Sequence, residues 1–196
     1  MTYREYRFLI LSDLYRATGN VKTTTLFRQI LTGGSFKFNF WMRTCFYTRN
    51  NVLLKYSMYP FAKLMYTRLT YRLGISIPFN TIIGRGFYIG HFGGIVVNEK
   101  CVIGKNCNIS QGVTLGQSNR GKNKGTPVLG DNIYIGPGAK IVGAVKIGDD
   151  VAIGANCVVT KDIPNHSVVV GIPGKVISQD GANGYVTRTD YEGKIS

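Results

Sequence analysis

His91 is the residue of this sequence best suited to proton-transfer chemistry. It lies in the glycine-rich segment 90–94, and histidine readily takes up and releases a proton near neutral pH. The other histidine, His166, lies in a Pro-Asn-His turn. A lone histidine is more often structural than catalytic, but His91 also interrupts an otherwise strict sequence repeat. We therefore predict that His91 is a general base and that His166 is structural.

A six-residue repeat determines where His91 lies in the fold. Stepping by six residues from Ile77 meets isoleucine, valine or leucine at thirteen positions, with a two-residue insertion after His91 and a longer insertion at residues 117–128. The positions are Ile77, Ile83, Ile89, Val97, Ile103, Ile109, Leu115, Leu129, Ile135, Ile141, Ile147, Ile153 and Val159. Glycine follows in eight repeats, which we attribute to corners whose backbone conformation other residues resist.

This repeat is typical of a parallel β-helix, in which three hexapeptides form one triangular coil. Thirteen repeats predict a little over four coils around a solid core, and we expect the left-handed form, an exception to the usual crossover rule. Chemistry must then take place on outer faces or between chains. We place His91 at a bulge between two faces. The polar loop 117–128, with Arg120, Lys122 and Lys124, is expected near His91 of a neighbouring chain.

Three of the four cysteines occupy the fifth position of the repeat, which is otherwise small or β-branched. They are Cys101, Cys107 and Cys157, and the fourth is Cys45. No Cys-x-x-Cys pair occurs, and the lack of a signal peptide implies a reducing cytosol, where disulfides are rare. We therefore predict buried core thiols, no metal site and a cytoplasmic protein.

Composition divides the chain near Gly74. Residues 1–74 carry 12 basic and two acidic side chains and 16 of the 23 aromatic residues, whereas most of the 25 glycines follow. We predict an N-terminal helical region at 1–74, a β-helix domain at 75–177 and a C-terminal tail at 178–196. Helical spacing predicts helices at Thr2–Ala17, Thr24–Leu31, Phe36–Thr48 and Val52–Arg72, with N-caps at Thr23, Ser35 and Asn50 or Asn51.

The net charge of +14 is concentrated in the helical region. No nucleic-acid motif accompanies these cations, so we expect no nucleic-acid partner. Helices that mix aromatic residues with arginine and lysine, as in 36–72, could instead make peripheral contact with the inner face of an anionic membrane. The alternative is that the aromatic residues pack the helices while the cations are solvated.

The stretch Gly86–Ile177 includes the motifs GFYIGHFGGIVVNEKCVIGKNCNISQGVTLGQ and VVTKDIPNHSVVVGIPGKVI. These motifs resemble the serine acetyltransferase group of hexapeptide-repeat acyltransferases, and the aromatic-basic N-terminal run is more similar to relatives from surface-polysaccharide biosynthesis. The resemblance implies an enzyme that transfers acetyl from acetyl-CoA to a hydroxyl group without a covalent intermediate. It also implies a homotrimer or hexamer with each site in a groove between two chains.

The resemblance implies roles for individual residues as well. His91 matches the catalytic histidine that takes the proton of the acceptor hydroxyl, and Glu99 is a retained candidate to orient it. The residues implied along the acetyl-CoA groove are Gly116, Gln117, Pro137, Ala139 and Ala155 beside pantetheine, with Thr160, Lys161 and Lys175 toward the phosphates.

Four positions depart from the pattern of the serine enzymes. Ser76 stands where the family has the aspartate that orients the histidine, and Gly90 replaces a second aspartate. Gly125 and Thr126 replace an arginine-histidine pair that helps to hold the amino acid. The charges that would bind serine are therefore missing from these positions.

From these losses we predict a saccharide acceptor, small or lipid-linked, because a sugar hydroxyl needs no cationic clamp. Tyr88 and Phe92 could stack on the sugar ring, or they could simply cover the prism. One alternative is a serine O-acetyltransferase of cysteine biosynthesis with a remodelled site. Another is an inactive scaffold trimer that binds CoA or partner proteins, which the retention of His91 disfavours.

Overall fold

The structure of the protein is a computed structural model that describes residues 1–195. Five helices precede fifteen short strands and a final 3-10 turn. The helices are α1 (Tyr3–Thr18), α2 (Thr23–Thr32), α3 (Ser35–Arg49), α4 (Leu54–Ser57) and α5 (Tyr59–Leu73), and the 3-10 turn is Tyr191–Gly193. The strands are β1 (Ile75–Ser76), β2 (Ile82–Ile83), β3 (Tyr88–Ile89), β4 (Ile95–Val97), β5 (Val102–Ile103), β6 (Asn108–Ile109), β7 (Thr114–Gly116), β8 (Val128–Leu129), β9 (Ile133–Ile135), β10 (Lys140–Val142), β11 (Lys146–Ile147), β12 (Val151–Ile153), β13 (Val158–Val159), β14 (Val168–Val170) and β15 (Lys175–Ser178).

The strands form the three faces of a triangular prism. Face 1 contains β1, β4, β7, β10 and β13, face 2 contains β2, β5, β8 and β11, and face 3 contains β3, β6, β9, β12 and β14 in parallel, with β15 antiparallel at its edge. Each coil passes from face 1 to face 2 to face 3, and there are about five coils. The predicted fold class, a β-helix behind an N-terminal helical region, is confirmed.

The aliphatic repeat positions and the cysteines form the core of the prism. All thirteen aliphatic positions are buried, as are all four cysteines. The expected count of a little over four coils is too small. The six-residue repeat stops at Val159, because the next core residue, Ile163, follows after four residues instead of six. Ile163 pairs with face 2, and Val169 on β14 continues face 3, so both complete a fifth coil.

The glycines that follow the aliphatic positions permit close packing between coils. A Cβ on Gly104 would lie 2.6 Å from the carbonyl carbon of Gly130 in the next coil. The residues with left-handed backbone conformation lie two positions after these glycines. Examples are Asn106 and Asn132, with φ of 58° and 57°. Asparagine tolerates that region. The predicted reason for the glycines was therefore wrong, because the neighbouring coil excludes a side chain there.

The helical region packs against the first coils through α3 and α5. Phe38 and Met42 of α3 and Tyr66 and Leu69 of α5 belong to the same buried cluster as the prism core. None of the described helices is long and apolar enough to cross a membrane.

A buried ion pair ties α1 and α3 to the prism. Arg43 Nε lies 3.1 Å from Asp13 Oδ2, with both side chains almost completely buried. The Arg43 guanidinium also donates to the carbonyls of Ile83 and Gly84, both at 2.7 Å, and Asp13 accepts the N–H of Phe87 at 2.8 Å. Both side chains thus have hydrogen-bond partners, as the burial of charge requires.

Two details of the predicted helices were wrong. The expected helix Val52–Arg72 is divided into α4 and α5 at Met58, shortly before Pro60 in the first turn of α5. Proline fits that turn because its missing N–H would have no helical partner there. Thr23 and Ser35 are the first helical residues rather than caps.

The C-terminal segment forms a strap that runs back along face 3 toward the first coil. Tyr185 stacks on Tyr134 with 4.4 Å between ring centroids, and the buried Tyr191 hydroxyl donates to Asn106 at 2.7 Å. The strap reaches α1 through Arg188, whose guanidinium donates to a backbone carbonyl of that helix at 3.2 Å.

Candidate active site

His91 lies at the corner between faces 3 and 1, where the chain leaves β3 and enters β4. The ladder bonds of β3 end with the Gly90 N–H, which donates to the carbonyl of Ile109 at 3.0 Å. Gly93 and Gly94 then take φ of +111° and +65°. The inserted residues therefore form a bulge, on which His91 is exposed.

A column of glycine backbone continues this corner along the prism. Gly74, Gly94, Gly112 and Gly138 follow one another from coil to coil, all with φ between 62° and 73°. The position of a Cβ on each of the first three lies 3.3–3.5 Å from the backbone of the glycine above it. Because these four residues have no side chains, an extended ligand could approach the backbone beside His91.

Lys140 is a cation at this corner that the sequence analysis did not identify. Its ammonium donates to the carbonyl of Gly112, and the Gly112 N–H donates to the carbonyl of Gly93 at 2.8 Å. Lys140 is therefore linked through the backbone of one residue, Gly112, to the bulge that carries His91. The sequence contained no signal for this role, because Lys140 occupies an ordinary polar position of the repeat.

The loop 117–128 lies at the opposite edge of face 1, at the corner with face 2. Ser118 and Gly125 exchange two backbone hydrogen bonds of 2.9 Å, which close the loop as a hairpin. The Asn123 amide donates to the carbonyl of Thr160 at 2.7 Å, so the loop leans toward the last coils. Its three cations are exposed. Within one chain, the loop and His91 lie on different edges of the prism.

The predicted site residues divide between these two corners. The corner of faces 3 and 1 holds His91, Pro137 and Ala155, with Lys175 after the turn that leaves the last coil. The corner of faces 1 and 2 holds Glu99, Gly116, Gln117, Thr160 and Lys161. A three-residue strand, about 10 Å long, separates the corners. A single chain does not bring the two groups together.

Two of these residues are not placed for their expected roles within one chain. The Glu99 carboxylate accepts a hydrogen bond from Asn80 at 3.2 Å and lies beyond the far end of β4, so it does not orient His91 of its own chain. Ala139 is 0% exposed, and its N–H and C=O are both hydrogen-bonded inside the prism. We therefore exclude Ala139 from the groove.

Tyr88 and Phe92 do not form a pair around His91. Tyr88 is half-buried on face 3, where its ring lies beside Gly90. Phe92 turns toward the helices and lines a cleft of about 260 Å³ together with Arg72 of α5. The predicted stacking of both rings on one sugar is therefore wrong, and both residues cover the protein surface.

The second histidine and the cysteines have structural roles. His166 Nδ1 lies 2.9 Å from Asp150 Oδ2 at the corner of faces 2 and 3. Partial burial acts to raise the pKa of Asp150, but the hydrogen bonds from His166 and from the Ala182 N–H, together with the charge of His166, outweigh that effect, and the pKa lies below its ordinary value. Burial raises the pKa of Cys45 and Cys107 to about 12. These thiols are therefore protonated core groups.

Comparison with known proteins identifies the family. The model for the bacterial transferase hexapeptide (six repeats) matches residues 126–161. A serine acetyltransferase of Staphylococcus aureus is 47% identical over 108 residues, which are 55% of this chain and 51% of that protein. The soybean serine acetyltransferase apoenzyme is 30% identical with a TM-score of 0.69, over 88% of this chain and 69% of that chain. The chain belongs to the serine acetyltransferase-like hexapeptide-repeat acyltransferases.

Membership of this family confirms the resemblance and corrects the predicted acceptor. A serine acetyltransferase of Brucella abortus strain S19, solved in complex with coenzyme A, is also similar, with 26% identity and a TM-score of 0.74 over 91% of this chain and 70% of that chain. Because the relatives are serine acetyltransferases, the saccharide prediction, including a role in surface-polysaccharide biosynthesis, is wrong. The prediction relied on four neutral residues in place of charged ones, and such replacements do not by themselves create a sugar-binding site. They are Ser76, Gly90, Gly125 and Thr126. The chain spans about half the length of the curated relatives it matches.

Proposed function

We propose that the protein is a serine O-acetyltransferase, which transfers the acetyl group of acetyl-CoA to the hydroxyl of serine. The observation that carries this proposal is the 47% identity with a serine acetyltransferase across 108 residues. The exposed His91 bulge beside a glycine-lined corner supports it, because direct acetyl transfer needs a base at the edge of a groove that admits an extended thioester.

In the proposed reaction, His91 takes the proton of the serine hydroxyl while the hydroxyl oxygen attacks the thioester carbonyl carbon. The carbon-sulfur bond breaks, and the proton passes from His91 to the departing CoA thiolate. Acetyl-CoA would lie along the groove with pantetheine beside Gly116, Gln117, Pro137 and Ala155. The residues proposed for its phosphates are Thr160, Lys161 and Lys175.

We assign the serine carboxylate to Lys140. An amino-acid acceptor carries a negative charge that is costly to desolvate without a partner, and the family's arginine-histidine pair is replaced by Gly125 and Thr126. Lys140 is a cation joined through Gly112 to the His91 bulge. Lys140→Met should therefore raise KM for serine about tenfold or more with little change in KM for acetyl-CoA. Lys140→Arg should preserve part of the affinity, and Lys146→Met on face 2 is the matched control.

The assembly we propose is a homotrimer or a pair of trimers. The site residues occupy two corners of each prism, and threefold symmetry would place the face 1–2 corner of one chain against the face 3–1 corner of the next. Glu99 and the loop 117–128 would then reach His91 across the interface. Analytical ultracentrifugation should show a trimer or a multiple of it, whereas an active monomer would contradict the shared site.

The activity is tested by serine-dependent release of CoA from acetyl-CoA, followed with a thiol reagent. His91→Ala should lower kcat by roughly 10² to 10⁴, the range for loss of a general base. His166→Ala is the matched control because that histidine binds Asp150 on another corner, and Glu99→Gln should have a milder effect than His91→Ala. No serine-dependent release by the wild-type protein would refute the function. Retention of more than half the activity by His91→Ala would refute the mechanism.

A further inference from the structure

The helical region has an unusual distribution of charge. No aspartate or glutamate occurs between Asp13 and Glu99, and this interval contains eleven arginine and lysine residues. The cations on the outer surface of α2, α4 and α5 therefore have no carboxylate on their own helices to neutralise them. A partner for this surface must itself supply negative charge.

The same region exposes large apolar side chains, and a group of them lies at the start of α4. Val52, Leu53 and Tyr56, which we call the tip, are 82%, 85% and 81% exposed. The Asn51 side chain holds the turn that presents them, since it accepts the N–H groups of Leu53 and Leu54. The tip is thus a defined turn with apolar side chains that point into solvent.

The solvent side of α5 continues the tip. It exposes Phe61, Leu64 and Tyr71, and Arg68 and Arg72 lie among them. The opposite side of the helix is buried against the prism. Both alternatives for the aromatic residues therefore apply, each in a different place. Phe38 of α3 and Tyr66 of α5 pack in the core, whereas the tip and the outer side of α5 stay largely exposed, with a contact only between Phe61 and Trp41 among the ring pairs of the described residues.

We propose that the tip and the outer side of α5 dock on an anionic lipid bilayer. The apolar side chains of the tip would enter the interface, and Lys55, Arg68 and Arg72 would lie at the level of the headgroups. Tyrosine suits this boundary because it has an apolar ring and a polar hydroxyl. Lys55 already has its ammonium 5.7 Å from the ring centre of Tyr56.

Charge argues against the two other occupants. A second copy of this chain would bring together two cationic surfaces without carboxylates, and their repulsion opposes such an interface. A nucleic acid would satisfy the cations, but it would leave the apolar tip in water. A bilayer with acidic lipids satisfies both features together.

Vesicle flotation of the full-length protein tests the proposal. Binding to vesicles with phosphatidylglycerol should exceed binding to phosphatidylcholine alone by about tenfold or more and should decrease with salt. Val52→Ser, Leu53→Ser and Tyr56→Ser combined should lower partitioning at least about tenfold. Lys55→Gln and Arg68→Gln should each lower it about fivefold. Ile172→Ser with Ile177→Ser, two exposed apolar residues outside this surface, is the matched control and should not reduce binding.

Several results would overturn the proposal. They are an absence of binding at low salt, equal binding to neutral vesicles, or unchanged binding by the tip variant when its circular dichroism matches the wild type. Dissociation of an oligomer by the tip substitutions, without any vesicle binding by the wild type, would identify a contact between copies instead. Binding of duplex DNA that persists in the tip variant, again without vesicle binding, would identify a nucleic-acid surface.

Discussion

Replacement of Gly104 by alanine tests the close packing between coils. The new Cβ would lie 2.6 Å from the carbonyl carbon of Gly130 and nearer still to its oxygen. The two coils cannot separate easily, because the Gly104 N–H donates to Leu129 at 3.0 Å and the Gly130 N–H donates to Ile147 at 2.9 Å. Overpacking costs about 1–3 kcal/mol. Since the obstacle is hydrogen-bonded backbone, we expect a loss near 3 kcal/mol.

The assay for Gly104→Ala is thermal unfolding at a fixed protein concentration, because association would make Tm depend on concentration. A loss of 3 kcal/mol corresponds to a decrease in Tm of about 6–12 °C for a chain of this size. Gly193→Ala is the control, since no atom lies within 4 Å of its Cβ position, and it should change stability by less than about 0.5 kcal/mol. A loss below about 1 kcal/mol for Gly104→Ala would refute the packing argument.

Three further predictions concern buried polar groups and thiols. Arg43→Met should destabilise the protein by about 3–5 kcal/mol in urea unfolding, because Asp13 and the carbonyls of Ile83 and Gly84 would stay buried without their cationic donor, whereas the exposed Arg28→Met should have little effect. The four thiols should not react with a thiol reagent at pH 8 in the folded protein, and all four should react after unfolding. Since burial raises the pKa of Cys101 to about 11 and that of Cys107 to about 12, the folded state retains protons that the unfolded state loses above about pH 9. Stability should therefore decrease between about pH 9 and 12, and constant stability there would contradict this assignment.

The regular parts of the fold could be predicted from the sequence because each coil repeats the same physical requirement. One aliphatic residue per hexapeptide must face the interior, so the recurrence of aliphatic residues from Ile77 to Val159 predicted the prism. The fifth coil escaped detection because Ile163 follows Val159 after four residues. The division at Met58 was missed because apolar spacing alone does not mark where a helix restarts.

The candidate site was predictable to a smaller extent. His91 could be proposed as a site residue because it lies at an interruption in a strict repeat. Lys140 could not, because its importance depends on a hydrogen bond to Gly112 in the preceding coil. The separation of Glu99 from His91 depends on which edge of face 1 each residue occupies, and this follows only from the three-dimensional path of the chain.

The C-terminal strap changes how the solenoid can come apart. A stack of coils that contact only their neighbours can lose its terminal coil without disturbing the rest. Here Tyr191 hydrogen-bonds with Asn106 near the beginning of the prism, and Arg188 holds α1. Fraying of the last coil would therefore disturb contacts of the strap with the second coil and with α1, and the two ends of the prism should open together. During synthesis, the strap contact with Asn106 cannot form until Tyr191 has emerged from the ribosome.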